Sequence, residues 1–218
     1  NHSSSVPNSI DIYDPIYGQY LPELPLFINT EEQQRYFALN LQDQIFLNDQ
    51  WSVLFGARFD HITQDFQNKL TDTSSKKDLQ QTSPRLGLNY RLNDRWSWYA
   101  NYGESFALNS GMDRNGDVFN PEKGKSYEIG GKYQITPQSL LSLALFKMDK
   151  ENVLTTDPAD SNYQITAGEV SSKGLELDLE TQLNDQFSIR ANYSYTDAQV
   201  EKDQILAKGS RLSNVPKH

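Results

Sequence analysis

The chain has 218 residues, and its 20 Lys+Arg against 29 Asp+Glu give a formal net charge of −9 at pH 7. This acidic balance argues against a nucleic-acid-binding protein, which carries a basic patch or stripe. The absence of cysteine excludes disulfides and thiolate metal sites, and a mean hydropathy of −0.71, with no apolar run near 18 residues, excludes a helical membrane protein.

Apolar and polar residues alternate along most of the chain, and no stretch shows a sustained 3.6-residue period. In one run, Leu86, Leu88 and Tyr90 share a face and the residues between them are polar or glycine. A run at 140–150 is less regular, because Phe146 falls on the face opposite its apolar neighbours. The alternating runs lie, in chain order, at 37–47, 51–59, 83–92, 96–103, 126–135, 140–150, 175–180 and 187–195. This pattern predicts an all-β chain.

The connections between these runs fall into two kinds. Short clusters of turn-forming residues lie at 48–50, 93–94, 136–138 and 184–185. Longer polar stretches lie at 67–82, 107–123, 151–167 and 201–210. We therefore predict a strict alternation of short and long connections, as in outer-membrane barrels with tight periplasmic turns and longer extracellular loops.

A soluble β-sandwich also alternates apolar with polar residues, and three features favour the barrel over it. Several runs exceed the five or six residues of an ordinary strand and approach the 9–11 that a tilted strand needs to cross a bilayer. Aromatic residues such as Trp51, Trp96 and Tyr133 gather near strand ends, as in interfacial girdles. The polar face is rich in charges of both signs, and Glu180 and Arg190 flank one turn where they are expected to pair across strands.

A series of motifs, in register over nearly the whole chain, resembles the TonB-dependent ferric-siderophore receptors of the ferrichrome and hydroxamate type. The motifs are SIDIYDPIYG at 9–18, LQDQI at 41–45, GARFD at 56–60, SPRLGLNY at 83–90, YGESF at 102–106, NPEKGKSYEIG at 120–130, SKGLEL at 172–177, YSYTDA at 193–198 and NVPKH at 214–218. The resemblance implies an antiparallel transmembrane segment of a 22-stranded barrel filled by an N-terminal plug. This chain would supply about eight strands and the start of a ninth.

On this basis, residues 1–218 are expected to form part of the barrel domain, with an extracellular loop at 1–35 and hairpins over 36–218. Asn1 is not a start residue and 1–5 lacks the features of a signal peptide, so we expect an internal piece of a longer protein whose plug lies outside it. The resemblance also implies the bacterial outer membrane as the location, with outer-membrane lipid as one partner and the TonB complex, reached through the missing N-terminal part, as another.

The candidate ligand-binding residues are aromatic. Tyr13, Tyr17 and Tyr20 lie in the proline-containing first loop. They are expected either to line the outer vestibule and touch a ferric siderophore, or only to pack the loop onto its neighbours; both alternatives stay open. The three histidines are scattered, so we expect no directly bound cofactor or protein-built iron site, with iron carried as the siderophore chelate.

Two further clusters have an ordinary explanation. Asp113 to Asp117 begins like a calcium loop, but Val118 stands where that motif requires glycine, so a turn is expected. Glu176, Asp178 and Glu180 lie on one strand face and are interpreted as charged lumen wall rather than catalytic acids. No nucleophile elbow, P-loop or dinucleotide fingerprint occurs, and an enzyme is not expected.

The resemblance implies TonB-energised uptake of a ferric siderophore, with a hydroxamate chelate as the expected cargo. Three alternatives stay open at this point. They are a passive outer-membrane channel, the same fold importing haem, cobalamin or a glycan, and a soluble β-sandwich binding module.

Overall fold

The computed structural model describes residues 13, 15 and 29–218. In this part of the chain, eight strands form one antiparallel sheet whose spatial order follows the chain order. The strands are β1 (Thr30–Phe46), β2 (Trp51–Asn68), β3 (Thr73–Arg91), β4 (Trp96–Ala107), β5 (Glu122–Thr136), β6 (Ser139–Thr156), β7 (Gln164–Gln182) and β8 (Ser188–Lys202). The all-β antiparallel prediction is confirmed. Within the described residues, no helix is long and apolar enough to cross a membrane.

The sheet has two chemically different faces, because side chains point alternately to either side of a strand. Cross-strand partners share a face, so the pairing of Leu86 with Tyr102 and of Tyr102 with Tyr127 puts all three on one side. We call this the apolar face; it also carries Phe37, Leu41, Phe55, Leu88, Trp98, Ile129, Leu143, Leu145, Leu177 and Ile189. The opposite, polar face carries Arg58, Asp60, Arg85, Asn101, Glu128, Lys132, Glu176, Asp178, Glu180 and Arg190.

Nothing within residues 29–218 packs against the apolar face. Phe37 is 73% exposed, Ile129 58% and Leu145 51%, although a soluble domain would bury such side chains. The described strands form a single layer, whereas a β-sandwich needs a second sheet about 10 Å away. The geometry therefore suits a sheet whose apolar face meets lipid.

Aromatic rings stack at the strand ends of the apolar face. Trp51 stacks on Tyr90 with ring centroids 4.3 Å apart, and Trp96 stacks on Tyr133 at the same separation. Both pairs lie beside the short turns at one end of the sheet. Their position agrees with the predicted interfacial girdle, where amphipathic rings meet the headgroup layer.

Three short turns share one construction. Residues 47–50, 92–95 and 183–187 connect successive strands, and in each an asparagine Oδ1 accepts two backbone N–H groups. Asn48 accepts from Gln50 and Trp51 at 2.9 and 2.8 Å. Asn93 and Asn184 repeat this pattern. An Asx turn of this kind is a local substitute for a backbone turn, which is why asparagine occupies these positions.

The predicted strict alternation of connection lengths is wrong for the β2–β3 hairpin. Its connection is only 69–72, because most of the predicted loop 67–82 belongs to β3. The other long connections also shrink, to 108–121 and 157–163, while β8 runs on to Lys202. At the tip of the β2–β3 hairpin, the side that continues the apolar face is polar, as where Thr63 Oγ1 donates to Asp78 Oδ1 at 2.7 Å. The other side buries Ile62, Phe66 and Leu79, but polar residues separate them along each strand, so no period of two marks the tip in the sequence.

Two other predicted boundaries change. The first strand begins at Thr30, inside the expected 1–35 loop. Beyond β8, residues 210–217 run beside residues 196–200 of that strand and form backbone hydrogen bonds with them, such as Leu212 N to Ala198 O at 3.0 Å. Only an isolated bridge, Gln199 to Arg211, is formed there. This is the start of a ninth pairing rather than a ninth strand among the described residues.

The irregular run in β6 is one continuous strand. Phe146 lies on the polar face opposite Gly174, and a Cβ on that glycine would come within 2.8 Å of the Phe146 ring. The missing side chain thus leaves room for the aromatic ring. The break in alternation is a local packing feature of the polar face and not a break in the strand.

Candidate functional site

The long connection between β4 and β5, residues 108–121, lies against the polar face; we call it the folded loop. Its Val118 and Phe119 are buried, as are Ile62, Phe66 and Leu79 on the polar face of β2 and β3. These five make up most of the buried hydrophobic residues in the described chain. The apolar core of the described part of the protein is therefore at this end of the polar face.

Polar contacts fasten the folded loop to several strands. Lys77 Nζ on β3 donates to the Val118 carbonyl at 3.0 Å and to Asn120 Oδ1 at 2.9 Å. Asn109 Nδ2 donates to the carbonyl of Asn152 on β6 at 2.9 Å. At the other side, Gln64 Nε2 donates to the Asn109 carbonyl at 3.0 Å. The loop is consequently part of the wall at this end of the sheet.

The tip of the folded loop is the predicted turn. Asp113 Oδ1 accepts the backbone N–H groups of Asn115 and Asp117 at 2.8 and 3.0 Å, and Gly116 has φ +84°. The side chain that would begin a calcium loop is thus used to close an Asx turn. Among the described residues, no three His, Cys, Asp or Glu side chains are placed to hold a metal ion.

Beside the start of the folded loop lies a cleft of about 320 Å³, lined by Tyr36, Arg58, Asp60, Ser83 and Arg85 together with residues 104–107 of β4 and Leu108 of the loop. We call it the arginine cleft. Arg58 and Asp60 form a close ion pair: Nε lies 3.0 and 2.9 Å from the two carboxylate oxygens, and Nη2 lies 2.8 Å from Oδ1. The Asp60 side chain is fully buried, while that of Arg58 is 46% exposed. The buried carboxylate therefore fixes the guanidinium plane while leaving its other edge accessible.

Arg85 differs from Arg58 in its contacts. Among the described residues it makes no ion pair and no side-chain hydrogen bond, and it is exposed. Its side chain lies over Gly56, its cross-strand partner, where a Cβ would meet Arg85 Cγ at 3.3 Å and the Leu41 carbonyl at 2.9 Å. Glycine in the GARFD motif thus opens the space that this arginine occupies.

The arginine cleft lies near one limit of the apolar face. On β2 the apolar face runs from Trp51 to Phe59, and the residues beyond it on that face are polar, beginning with His61. Arg58 and Asp60 flank Phe59 in sequence. The cleft is thus at the level where strands leave the apolar layer, on the opposite side of the sheet.

The acidic stripe of β7 lies on the polar face, as the sequence predicted. Arg190 Nη2 on β8 lies 3.2 Å from both carboxylate oxygens of Glu180, its cross-strand partner. The predicted Glu180–Arg190 pair is confirmed. Both side chains are more than 60% exposed, so this pair is a feature of a solvated wall and adds little stability.

Acidic groups at the far end of the strands are tied by hydrogen bonds. The backbone N–H groups of Leu206 and Ile205, followed by the Thr155 hydroxyl, hold the pKa of the Asp203 carboxyl below its usual range. The Ser171 hydroxyl and Lys208 lower the pKa of Glu201. Residues 201–208 are therefore attached to the sheet by ionised carboxylates at neutral pH.

Of the three candidate tyrosines, the structure describes Tyr13. Tyr13 is 92% exposed, and Tyr17 and Tyr20 lie outside the described residues. Their role in ligand binding stays a prediction. The arginine cleft was not singled out from the sequence as a site, although the two-residue spacing of Arg58 and Asp60 places both on one strand face.

Comparison with protein families gives a match to the family described as "TonB dependent receptor-like, beta-barrel", over residues 2–218. Among curated proteins, the metal-pseudopaline receptor CntO of Pseudomonas aeruginosa UCBPP-PA14 is 42% identical, over 97% of this chain and 31% of its own length. The ferrioxamine B receptor of Salmonella typhimurium SL1344 is 31% identical, over 96% and 30%. The ferrichrome outer membrane transporter/phage receptor of Escherichia coli K12 is 33% identical, over 84% and 25%.

Solved structures share the fold. The unliganded ferric citrate transporter FecA superposes with a TM-score of 0.74 at 25% identity, over 90% of this chain and 31% of that one. The siderophore receptor PiuA of Acinetobacter baumannii gives 0.74 at 21% identity, over 86% and 30%. The chain spans about a third of the length of these proteins. Because the family match covers nearly the whole chain, and the exposed apolar face agrees with it, the protein belongs to the TonB-dependent receptors of the Gram-negative outer membrane and forms part of their β-barrel domain.

Proposed function

We propose that the complete receptor captures a ferric siderophore at the cell surface and imports it with energy from the TonB complex. The single observation that carries this proposal is the family match over residues 2–218. The names of several relatives, among them the ferrioxamine B receptor and the ferrichrome transporter, support it. The chain contributes barrel wall and extracellular loops, and the segment that contacts TonB belongs to the plug-bearing part of the receptor.

The cargo we propose is a ferric hydroxamate siderophore. Ferrioxamine and ferrichrome receptors among the relatives support this class, while a relative at 42% identity is named for a metal–pseudopaline complex. Iron travels as the chelate, so the chain needs no metal ligands of its own. Recognition then falls to polar and aromatic side chains at the vestibule, such as those of the arginine cleft and the first loop.

The mechanism we propose is a shift between open and closed arrangements of the vestibule. Extracellular loops close around the bound chelate, and the plug then rearranges when TonB delivers energy. The folded loop, which is fastened to several strands, serves as fixed wall in this process. The family consists of receptors and transporters, and we propose that this protein likewise catalyses no reaction.

The test is a titration of the purified full-length receptor in detergent, followed by intrinsic Trp and Tyr fluorescence. The panel contains ferrioxamine B, ferrichrome, a ferric catecholate chelate, metal-loaded pseudopaline, haem and cobalamin. Saturable quenching by a ferric hydroxamate at submicromolar concentration is expected. Saturation only by haem or cobalamin would change the cargo, and no saturable response at all would favour a passive channel.

A further inference from the structure

We propose that the arginine cleft is a subsite for a carboxylate carried by the metal chelate, with Arg85 as the residue that binds it. This inference rests on the proposed function and adds to it the charge of the cargo. The cleft lies on the polar face beside the start of the folded loop, and its lining offers hydrogen-bond donors to a ligand.

Arg85 is the one charged side chain of the cleft that has no partner among the described residues. Glu104 also lines the cleft, but it shares the apolar face with Tyr102, whose hydroxyl donates to its carboxylate. Asp60 and Arg58 neutralise one another through three contacts of 2.8 to 3.0 Å, and no acidic partner of Arg85 exists among the described residues. The Arg85 side chain lies over Gly56, which has no side chain to pair with it, so all N–H donors of its guanidinium group stay available to a ligand. One free positive charge matches a monoanion better than a phosphate dianion, particularly in a chain of net charge −9.

The remaining donors are arranged around this charge. Ser83 is the cross-strand partner of Arg58, and Arg85 is two residues further along the same face. Ser83 is 8% exposed, and its hydroxyl has no hydrogen-bond partner among the described residues. The contacts with Asp60 use Nε and Nη2 of Arg58 and leave Nη1 available. A carboxylate has two oxygens, and this cleft supplies two guanidinium groups and a hydroxyl for them.

The location of the cleft is consistent with a ligand that arrives from outside. It lies near the limit of the apolar face, with Ala107 at the end of β4 and Leu108 at the start of the folded loop as part of its wall. Because Lys77 and Asn109 fasten this loop to the sheet, the cleft is formed before any ligand binds. Preorganised donors avoid the entropic cost of ordering side chains on binding.

The experiment compares two chelates that differ in one charge. Ferric N-succinyl-desferrioxamine B carries a free carboxylate, and ferric N-acetyl-desferrioxamine B has the same iron-binding core with a neutral end. Their dissociation constants are measured on the full-length receptor in detergent by fluorescence quenching, with ferric citrate as a second carboxylate-bearing probe. The wild-type receptor is expected to bind the succinylated chelate about tenfold more tightly, the effect of one charge-assisted hydrogen bond.

Arg85→Gln is expected to abolish this preference and to weaken ferric citrate binding, while binding of the neutral chelate stays within about twofold. Arg190→Gln is the matched control, because Arg190 is also on the polar face but is already paired with Glu180. It should leave the preference intact. Heat-modifiable electrophoretic mobility verifies that each variant is folded.

Three outcomes would overturn the inference. They are equal binding of both chelates by the wild-type receptor, a preference that survives in Arg85→Gln, and an equal loss of both chelates in that variant. The last would mean that Arg85 pairs with a carboxylate elsewhere in the receptor. If the wild-type receptor binds neither chelate nor ferric citrate, nor any member of the wider panel, the proposed function itself fails and the inference falls with it.

Discussion

At the scale of single residues, glycines determine which large side chains fit on the polar face. Gly56 leaves room for Arg85, and Gly174 leaves room for Phe146. Both glycines lie within regular strands, where glycine is otherwise unfavourable because it has no side chain to pack. Their value here comes from the neighbour that they admit.

Gly174→Ala is expected to destabilise the receptor by about 1–3 kcal/mol, the range for overpacking a filled site. The added methyl group would collide with the Tyr195 carbonyl and lie 2.8 Å from the Phe146 ring. Urea unfolding of the full-length receptor in lipid vesicles, followed by Trp fluorescence, measures the change. Gly103→Ala is the control, since its Cβ would meet only the Ser126 hydroxyl at an ordinary 3.4 Å; equal stabilities of the two variants would contradict the prediction.

Residue-level roles were only partly predictable from the sequence. The Glu180–Arg190 pair could be foreseen, because two residues that flank a short turn at matching distances must lie opposite one another. The polar-face position of Phe146 looked like an irregularity, because the compensating Gly174 lies on another strand. The uncompensated charge of Arg85 also depends on partners that sequence spacing does not reveal.

At the scale of elements, the folded loop joins β4 and β5 but is held mainly by side chains from other strands. Glu32 on β1, Gln64 on β2 and Lys77 on β3 all hydrogen-bond to it, Glu32 through the Ser110 hydroxyl. Its buried Val118 and Phe119 add an apolar contribution. This combination predicts an ordered loop rather than a mobile lid.

Lys77→Met is expected to loosen this loop, since it removes two hydrogen bonds from a charged donor while keeping the length of the side chain. Backbone amides within 108–121 should exchange with deuterium about tenfold faster or more. Hydrogen–deuterium exchange with mass spectrometry on the full-length receptor in detergent makes this measurement. Lys76→Met should have no such effect, because the Lys76 side chain makes no ion pair or hydrogen bond with the described residues; unchanged exchange in Lys77→Met would show that the remaining contacts hold the loop without Lys77.

The strands within the apolar layer were predictable, whereas their extensions were not. From Trp51 to Phe59, one face is apolar and the period of two is visible. Beyond it the hairpin tip is polar on one side and covered by the folded loop on the other, so no alternation marks residues 73–82 as part of β3. The conformation of residues 108–121 depends on contacts with strands that are distant in sequence, which local patterns do not encode.

At the scale of the whole molecule, the described sheet is open at both sides. β1 and the 188–195 part of β8 each have a strand partner on one side only. The unpaired backbone groups at these edges cannot be left facing lipid, and the exposed apolar face cannot be left facing water. Stability therefore requires both the remaining strands of the barrel and a membrane.

Residues 29–218 produced alone are accordingly expected to aggregate in the absence of detergent. Size-exclusion chromatography of the refolded polypeptide, with and without detergent micelles, tests this expectation. The full-length receptor, refolded in parallel into the same detergent, is the positive control. A monodisperse, detergent-free monomer with β-type circular dichroism would contradict this expectation and would favour the soluble β-sandwich alternative.

The simple order of the sheet has a consequence for how the chain assembles. Every strand pairs with its predecessor, so each new pairing closes only the short stretch of chain between them, and closure entropy grows slowly with that length. The β5–β6 connection 137–138 is the smallest of these closures, followed by the β2–β3 connection 69–72 and the Asx turns. Such a topology allows the chain to zip together hairpin by hairpin, with register passed from each turn to the next. The joining of the first and last strands of the complete barrel is then the one pairing that closes a long stretch of chain.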